Sequence, residues 1–210
     1  MKKALVFGGT GLVGNQLIHL LLADESYQVT ALVRKPMTVQ NNRLTQVVFD
    51  FDHPDNSVVV ADEIYCCLGT TIKVAGSKAA FYKVDYEYVL SIATIAFTNG
   101  AKKFALVSSM GANKNSGIFY SKTKGAIEEA VTAIGYESLF IFRPSMLLGQ
   151  RTEFRVGEKI GKFIMTIFSF AIPKKYKGIE AKQVAKGMMA MMNSNKKGVL
   201  ILESDRIAEL

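Results

Sequence analysis

A glycine-rich turn near the start of the chain constrains the fold more than any other feature. It joins the apolar, strand-like run Lys3–Phe7 to the segment Gly11–Ala23, which has helical periodicity. The turn reads Gly8-Gly9-Thr10-Gly11-Leu12-Val13-Gly14. Between a strand and a helix, the first glycine permits a tight turn, the second lets the backbone approach a pyrophosphate, and the third lets the helix pack closely on the strand. The N–H groups at the helix start would then hold the phosphates. The pattern predicts a dinucleotide site that includes Gly8, Thr10, Gly11, Leu12, Val13 and Gly14.

Strand-like and helix-like segments alternate along the rest of the chain. The apolar runs Gln28–Val33, Glu63–Leu68 and Phe104–Ser108 are typical of strands that are buried on both faces, and helix-like segments such as Lys78–Asn99 and Tyr120–Ile134 separate them. This alternation predicts the α/β class, with a doubly wound parallel sheet of the Rossmann type. One connection, between Phe51 and Asp62, is too short for a full crossover helix.

The sequence indicates a single domain over residues 1–210, with a short C-terminal extension. Its 210 residues are 49% hydrophobic, which is enough for one core, and no linker or internal repeat divides them. Residues 150–195 are expected to cover the substrate pocket, with a helix at about 158–170. The apolar run Phe163–Phe170 between basic flanks is interpreted as part of that cover or of a subunit contact, with a membrane-surface helix as the alternative.

Three features favour a cytoplasmic location. The first strand begins so close to Met1 that we expect no secretory signal before it. The longest apolar run, Phe163–Ile172, is about half of the roughly 20 residues that a membrane span requires. The only cysteines, Cys66 and Cys67, are adjacent, and we interpret them as small apolar residues of a buried strand in a reducing compartment.

The positive charge of the chain does not by itself indicate nucleic-acid binding. The net charge is +8, from 26 basic and 18 acidic residues. A nucleic-acid binder concentrates such charge on one face, whereas these residues form scattered pairs. The pairs are Lys2 with Lys3, Arg34 with Lys35, Lys102 with Lys103, Lys174 with Lys175, and Lys196 with Lys197. We expect no nucleic-acid partner, although the charge favours an anionic ligand. We also expect no metal, since His19 and His53 lack ligand spacing.

The end of the second strand-like run indicates which dinucleotide binds. A site for NAD(H) usually has an acidic residue there, which accepts hydrogen bonds from the adenosine ribose. This chain instead reads Ala31-Leu32-Val33-Arg34-Lys35. The planar guanidinium of Arg34 suits a 2′-phosphate, and Lys35 adds positive charge. NADP(H) is therefore favoured over NAD(H), with a solvated loop pair as the alternative interpretation.

A tyrosine and a lysine follow the fifth strand-like run. Tyr120 and Lys124 are four residues apart on a predicted helix, so they share one face. A lysine ammonium beside a phenol stabilises the phenolate, which makes the tyrosine usable as a general acid or base. A hydroxyl of Ser108 or Ser109, at the end of the preceding strand, could hold a carbonyl oxygen. These four residues are the candidate catalytic set.

Several further segments keep the order found in one known superfamily. They are Cys66-Cys67-Leu68-Gly69-Thr70-Thr71, Val84-Asp85 with Tyr88-Val89-Leu90, Ser108-Ser109 with Gly111-Ala112, Tyr120 with Lys124-Gly125, and Phe142-Arg143-Pro144. Together with the glycine turn they span about two thirds of the chain. In them the chain resembles the atypical branch of the short-chain dehydrogenase/reductase superfamily. Within that branch it resembles the Tat-interacting oxidoreductase-like tumour-suppressor group and its bacterial relatives.

The resemblance implies a role for each matching position. Tyr120 would donate the proton, and Lys124 would bind the nicotinamide ribose and tune Tyr120. Ser109 would polarise the substrate carbonyl, and it fits the register better than Ser108, although both remain open. The remaining cofactor contacts would come from Leu68, Gly69 and Thr70 after the fourth strand and from Pro144 and Ser145 near the nicotinamide, while Arg143 would be structural.

Two departures from the family pattern bear on activity. Larger relatives place an asparagine in the long helix for a proton relay, where this chain has Asp85, and the region after Gly149 is short. The leading hypothesis is an NADP(H)-dependent oxidoreductase that acts on the carbonyl or alcohol of a small molecule. A non-catalytic NADP(H)-binding regulator is the rival, and a sugar-nucleotide epimerase is disfavoured by the short C-terminal part. A homodimer is compatible with the sequence.

Overall fold

The protein is built around a parallel sheet, as seen in a computed structural model that describes residues 1–149 and 173–210. The strands in these ranges are β1 (Lys2–Phe7), β2 (Tyr27–Val33), β3 (Leu44–Val48), β4 (Glu63–Cys66), β5 (Lys103–Val107), β6 (Ser138–Arg143), β7 (Leu147–Leu148), β8 (Ile179–Glu180) and β9 (Gly198–Glu203). In the described ranges seven of them form one sheet in the order β3-β2-β1-β4-β5-β6-β9, and every neighbouring pair is parallel. The strands β7 and β8 pair separately beside it.

Helices cover both faces of this sheet. In the described ranges they are α1 (Leu12–Ala23), α2 (Ile72–Ala75), α3 (Lys78–Tyr82), α4 (Tyr88–Thr98), α5 (Phe119–Ile134), α6 (Ala181–Asn193) and α7 (Ser204–Ala208). A π-helical turn, Lys83–Glu87, joins α3 to α4, and short 3₁₀ turns occur at Asn56–Val58 and Lys174–Tyr176. No helix in the ranges that the structure describes is both long and apolar enough to cross a bilayer.

Two apolar layers, one on each face of the sheet, form the core. Along β1, Ala4 and Val6 face the layer with α1 and α6, whereas Leu5 and Phe7 face the layer with α4 and α5. All four side chains are buried, because helices lie on both sides of the central strands. The predicted doubly wound parallel sheet is therefore confirmed.

Most of the predicted elements are present in the structure, and some details differ. The connection after Phe51 contains only the 3₁₀ turn, as expected, but the long helix over Lys78–Asn99 is interrupted by the π-helical turn. The final strand ends at Glu203 and is followed by α7, which the apolar pattern did not indicate. The helix predicted at about 158–170 lies outside the described residues. The pocket cover predicted for 150–195 falls partly outside them as well and stays a prediction.

Candidate active site

A cleft opens at the carboxyl ends of β1, β4, β5 and β6. This is the edge at which parallel α/β sheets bind their ligands. Its cavity volume is about 270 Å³. The described residues that line it are Gly11, Leu12, Val13, Cys67, Leu68, Gly69, Thr70, Thr71, Val107, Ser108, Ser109, Tyr120, Lys124, Pro144, Ser145, Met146 and Leu147. The sheet therefore brings the glycine turn and the candidate catalytic residues to one site.

The glycine turn has the backbone shape that a phosphate site needs. Gly8 has a φ of +76°, and a Cβ at this position would lie 2.5 Å from the carbonyl oxygen of Cys67. A Cβ on Gly14 would overlap the backbone of Gly8, so Gly14 permits close contact between helix and strand. Gly11 caps α1 without a side-chain hydrogen bond and is exposed. The first N–H groups of α1 thus have no side-chain cap, and this arrangement fits a dinucleotide pyrophosphate.

The candidate acid and its lysine both reach the cleft from α5. Tyr120 is half-buried, and its ring packs on the buried ring of Phe81, with 5.3 Å between ring centroids. Lys124 lies one turn further along and is 5% exposed. Gly125 lets this part of α5 lie against the loop after β5, because a Cβ there would overlap the backbone of Asn113 and Lys114. Tyr120 and Lys124 therefore line the same cleft.

Lys124 has a buried counter-ion that sequence reasoning noted only as a departure from the family. The Nζ atom lies 2.8 Å from Oδ1 of Asp85, which is completely buried in the π-helical turn. That oxygen accepts no hydrogen bond of good geometry from the described residues, so the contact is an ion pair. Burial acts to lower the pKa of Lys124, but attraction to Asp85 and then to Tyr120 outweighs it, and the pKa is raised. Lys124 is therefore an ammonium at neutral pH.

The two candidate serines differ in what their hydroxyl groups contact. Ser108 is buried, and its Oγ donates to Oε1 of Glu128. The Nε atom of Arg143 donates to the same carboxylate at 3.0 Å, and its Nη2 donates at 2.5 Å. The hydroxyl of Ser109 is half-buried and makes a long 3.3 Å contact with the carbonyl of Met110. Ser109 is thus the better placed to donate to a substrate, and Arg143 has a structural partner.

Not every predicted site residue lines the cleft. Gly8, Thr10 and Gly14 belong to the turn but are not among the lining residues, and Arg34 and Lys35 are exposed just after β2. The residues that sequence reasoning missed are Cys67, Thr71, Val107, Met146 and Leu147. The sequence could have indicated them by their position, since each is at or close to the carboxyl end of a predicted strand. Within residues 1–149 and 173–210, no three His, Cys, Asp or Glu side chains are grouped to hold a metal.

Comparisons with known proteins agree with this geometry. Residues 8–195 match a family model described as NAD(P)H-binding. The Rattus norvegicus protein HTATIP2 is 33% identical over 200 residues, which cover 92% of this chain and 81% of the rat protein. The Candida albicans protein FMP52, mitochondrial, is 35% identical over 159 residues, which cover 72% of this chain and 69% of the Candida protein.

A solved structure supports the fold alone. It is a UDP-N-acetylglucosamine 4-epimerase from Methanobrevibacter ruminantium in complex with UDP-N-acetylmuramic acid. It superposes with a TM-score of 0.74 over 99% of this chain and 80% of its own, at 18% identity.

Proposed function

Since this chain belongs to the NAD(P)H-binding family, we propose that it is an NADP(H)-dependent oxidoreductase acting on the carbonyl or alcohol of a small molecule. One observation carries the proposal. Tyr120 and Lys124 line the same cleft as the first turn of α1, so an acid and its lysine face the place where the dinucleotide would lie. A cleft used only for binding does not need a phenol and an ammonium together.

Each group at the cleft has a chemical task in this proposal. The cofactor supplies the hydride chemistry when it is bound. The N–H groups of Leu12 and Val13 bind the pyrophosphate. The hydroxyl of Ser109 donates a hydrogen bond to the substrate oxygen, and Tyr120 gives or takes the proton at its Oη. Lys124 keeps a positive charge near that phenol and, as the family resemblance implies, binds the nicotinamide ribose.

The preference for NADP(H) over NAD(H) is part of the proposal. It rests on Arg34 and Lys35, which are exposed directly after β2 and provide two positive charges where an NAD(H) site has a carboxylate. A guanidinium can donate two parallel hydrogen bonds to a phosphate group, which a ribose hydroxyl cannot accept in the same way.

A non-catalytic NADP(H)-binding regulator is the second candidate, and one observation favours it. Asp85 already compensates the charge of Lys124 at 2.8 Å, which weakens the field that the ammonium exerts on Tyr120. A protein that only senses the cofactor could keep the ion pair of Lys124 with Asp85 for cofactor binding alone.

A substrate screen separates the two candidates. Aldehydes and ketones are tested with the full chain by following NADPH absorbance, and each active compound is retested with Tyr120→Phe. Loss of the transferable proton should lower turnover by about 10²–10⁴-fold and leave NADPH affinity nearly unchanged. Tyr176→Phe is the matched control, since this tyrosine is 49% exposed and does not line the cleft. If NADPH binds tightly and no compound is turned over, the regulator becomes the supported function and the oxidoreductase is contradicted.

We propose a cytoplasmic location for this activity. The Candida albicans relative is named as a mitochondrial protein, so subcellular fractionation is the direct test. Recovery of the protein with mitochondria would contradict the proposal.

A further inference from the structure

We infer that Asp85 is a positioning residue that holds the Lys124 ammonium with one carboxylate oxygen and the Thr70 backbone amide with the other. The two contacts connect three parts of the site. Asp85 belongs to the π-helical turn, Lys124 to α5, and Thr70 to the cofactor-lining loop after β4. The effect of this residue on turnover rests on the proposed function, but the two contacts do not.

The geometry of Asp85 supports the inference. Its Oδ1 lies 2.8 Å from Nζ of Lys124, and its Oδ2 accepts a 2.9 Å hydrogen bond from the N–H of Thr70. The side chain is completely buried, where an uncompensated carboxylate would be costly. Its Oδ1 would also be 3.4 Å from a Cβ on Gly69, so the loop passes directly over the carboxylate. A buried charge with one partner on each side fixes both partners.

The carboxylate of Asp85 lies on the π-helical turn between α3 and α4. Such a turn inserts one residue into a helix and changes the direction of the side chains around it, and it occurs frequently at functional sites. Lys83–Glu87 carries Asp85 to the buried side of the helix, while Glu87 on the same turn is exposed.

The charge of Asp85 matters as well as its shape. The titratable groups that act on Lys124 are Asp85, Tyr120 and Cys66. Of these, only Asp85 forms an ion pair with the ammonium, at 2.8 Å. Burial alone lowers the pKa of Lys124, so Asp85 is what keeps this lysine charged in its buried position. An asparagine at this position could still accept from Thr70 but would offer the ammonium no negative charge.

Two variants separate these two contacts. Asp85→Asn keeps the size and one acceptor oxygen but removes the charge, whereas Asp85→Ala removes both. Glu87→Gln is the matched control, because it makes the same charge change at an exposed position of the same turn. The Lys124 side chain is titrated by NMR in ¹³C-labelled protein, and exchange of the Thr70 amide is measured on the same full-length samples.

Each variant should give a distinct result. Asp85→Asn should lower the titration midpoint of Lys124 by about 1–3 pH units and leave Thr70 protected. Asp85→Ala should also speed exchange at Thr70 by roughly tenfold, as expected for the loss of one hydrogen bond. Glu87→Gln should change neither. With an active wild type, the alkaline limit of turnover should move to lower pH in Asp85→Asn, because Lys124 loses its proton earlier.

Each contrary result identifies what is wrong. An unchanged Lys124 midpoint in Asp85→Asn, or an equal fall in Glu87→Gln, would overturn the inference. Unchanged exchange at Thr70 in Asp85→Ala would overturn it too. If both contacts respond as expected but the wild type turns over no carbonyl compound, the positioning role is supported and only the proposed enzymatic function fails.

Discussion

At the scale of single residues, the choice of cofactor depends on Arg34. Removing one charge-assisted contact to the 2′-phosphate should cost about 1.5–3 kcal/mol. Arg34→Ala should therefore weaken NADPH binding by about tenfold or more and leave NADH binding almost unchanged. Calorimetric titration with both cofactors measures this. Lys102→Ala is the control, since it removes an exposed positive charge just before β5, at the amino ends of the strands and away from the cleft. Equal losses for the two cofactors would contradict the assignment.

The two serines should separate stability from turnover. Ser108→Ala removes a buried hydrogen bond to Glu128, but the Glu128 carboxylate keeps its hydrogen bonds from Arg143. The variant should therefore lower the free energy of unfolding by about 1 kcal/mol. Ser109→Ala removes the hydroxyl proposed to hold the substrate oxygen, and it should lower turnover by about 10²-fold or more. Urea unfolding and steady-state kinetics on both variants check this. A larger loss of turnover in Ser108→Ala would reverse the assignment.

Residue spacing predicted Tyr120 and Lys124 but could not predict what Asp85 contacts. The first two are four apart on one helix, so local geometry alone places them together. Asp85 meets Lys124 only because the π-helical turn packs against α5, and that contact joins residues 39 positions apart in the sequence. The pairing of Ser108 with Glu128 was equally hidden, since it depends on how α5 lies on the sheet.

At the scale of elements, substitutions of Gly11 and Gly14 should have different effects, one on cofactor binding and one on stability. A Cβ on Gly14 would overlap the Gly8 backbone, so Gly14→Ala should destabilise the packing of α1 on β1. A Cβ on Gly11 would come within 3.2 Å of the carbonyl oxygen of Gly8, at an exposed position. Gly11→Val should therefore fold, yet abolish binding of both cofactors, because the side chain occupies the space of the pyrophosphate.

Circular dichroism and NADPH titration test the two glycine variants together. A folded Gly11→Val protein that binds NADPH normally would place the phosphate site elsewhere. A Gly14→Ala protein with unchanged thermal stability would show that α1 does not need its close approach to β1.

Elements with strong local patterns were predictable, and elements defined by distant pairing were not. Continuous apolar runs indicated the central strands β1, β2, β4 and β5. The short ladder of β7 with β8 pairs Leu147 with Ile179, residues that are 32 positions apart, and two residues give no periodicity to detect. The break in the long helix also left no apolar signature, because a π-helical turn keeps the helical backbone direction.

At the scale of the whole molecule, folding makes the protons of Tyr27, Tyr65, Tyr136 and Cys66 harder to remove. Burial, and then the charge of Glu63, raises the pKa of Tyr27 and of Tyr65. Burial also raises the pKa of Tyr136, and it raises the pKa of the Cys66 thiol to about 12. The four lie in the two apolar layers on either side of the sheet, so their ionisation would disturb the entire core.

These groups predict a loss of stability at alkaline pH. Because folding raises each pKa, the stabilisation is complete below the pKa of the unfolded chain, which is about 8.5 for cysteine and about 10 for tyrosine. It is lost as the pH rises from there toward the folded value, since the unfolded chain releases protons that the folded protein keeps. The free energy of unfolding should therefore fall above about pH 9, by up to about 1.4 kcal/mol per pH unit for each group.

Tyr136→Phe tests this alkaline dependence at one position. The phenol of Tyr136 donates a 2.6 Å hydrogen bond to the carbonyl of Ala93, so the variant should lose about 1 kcal/mol at neutral pH. Above about pH 10 its stability should fall less steeply than that of the wild type, because one titrating group is gone. Urea unfolding between about pH 7 and pH 11 measures both slopes, with the exposed Tyr176→Phe as control. Parallel slopes in wild type and Tyr136→Phe would mean that this phenol already ionises in the folded protein.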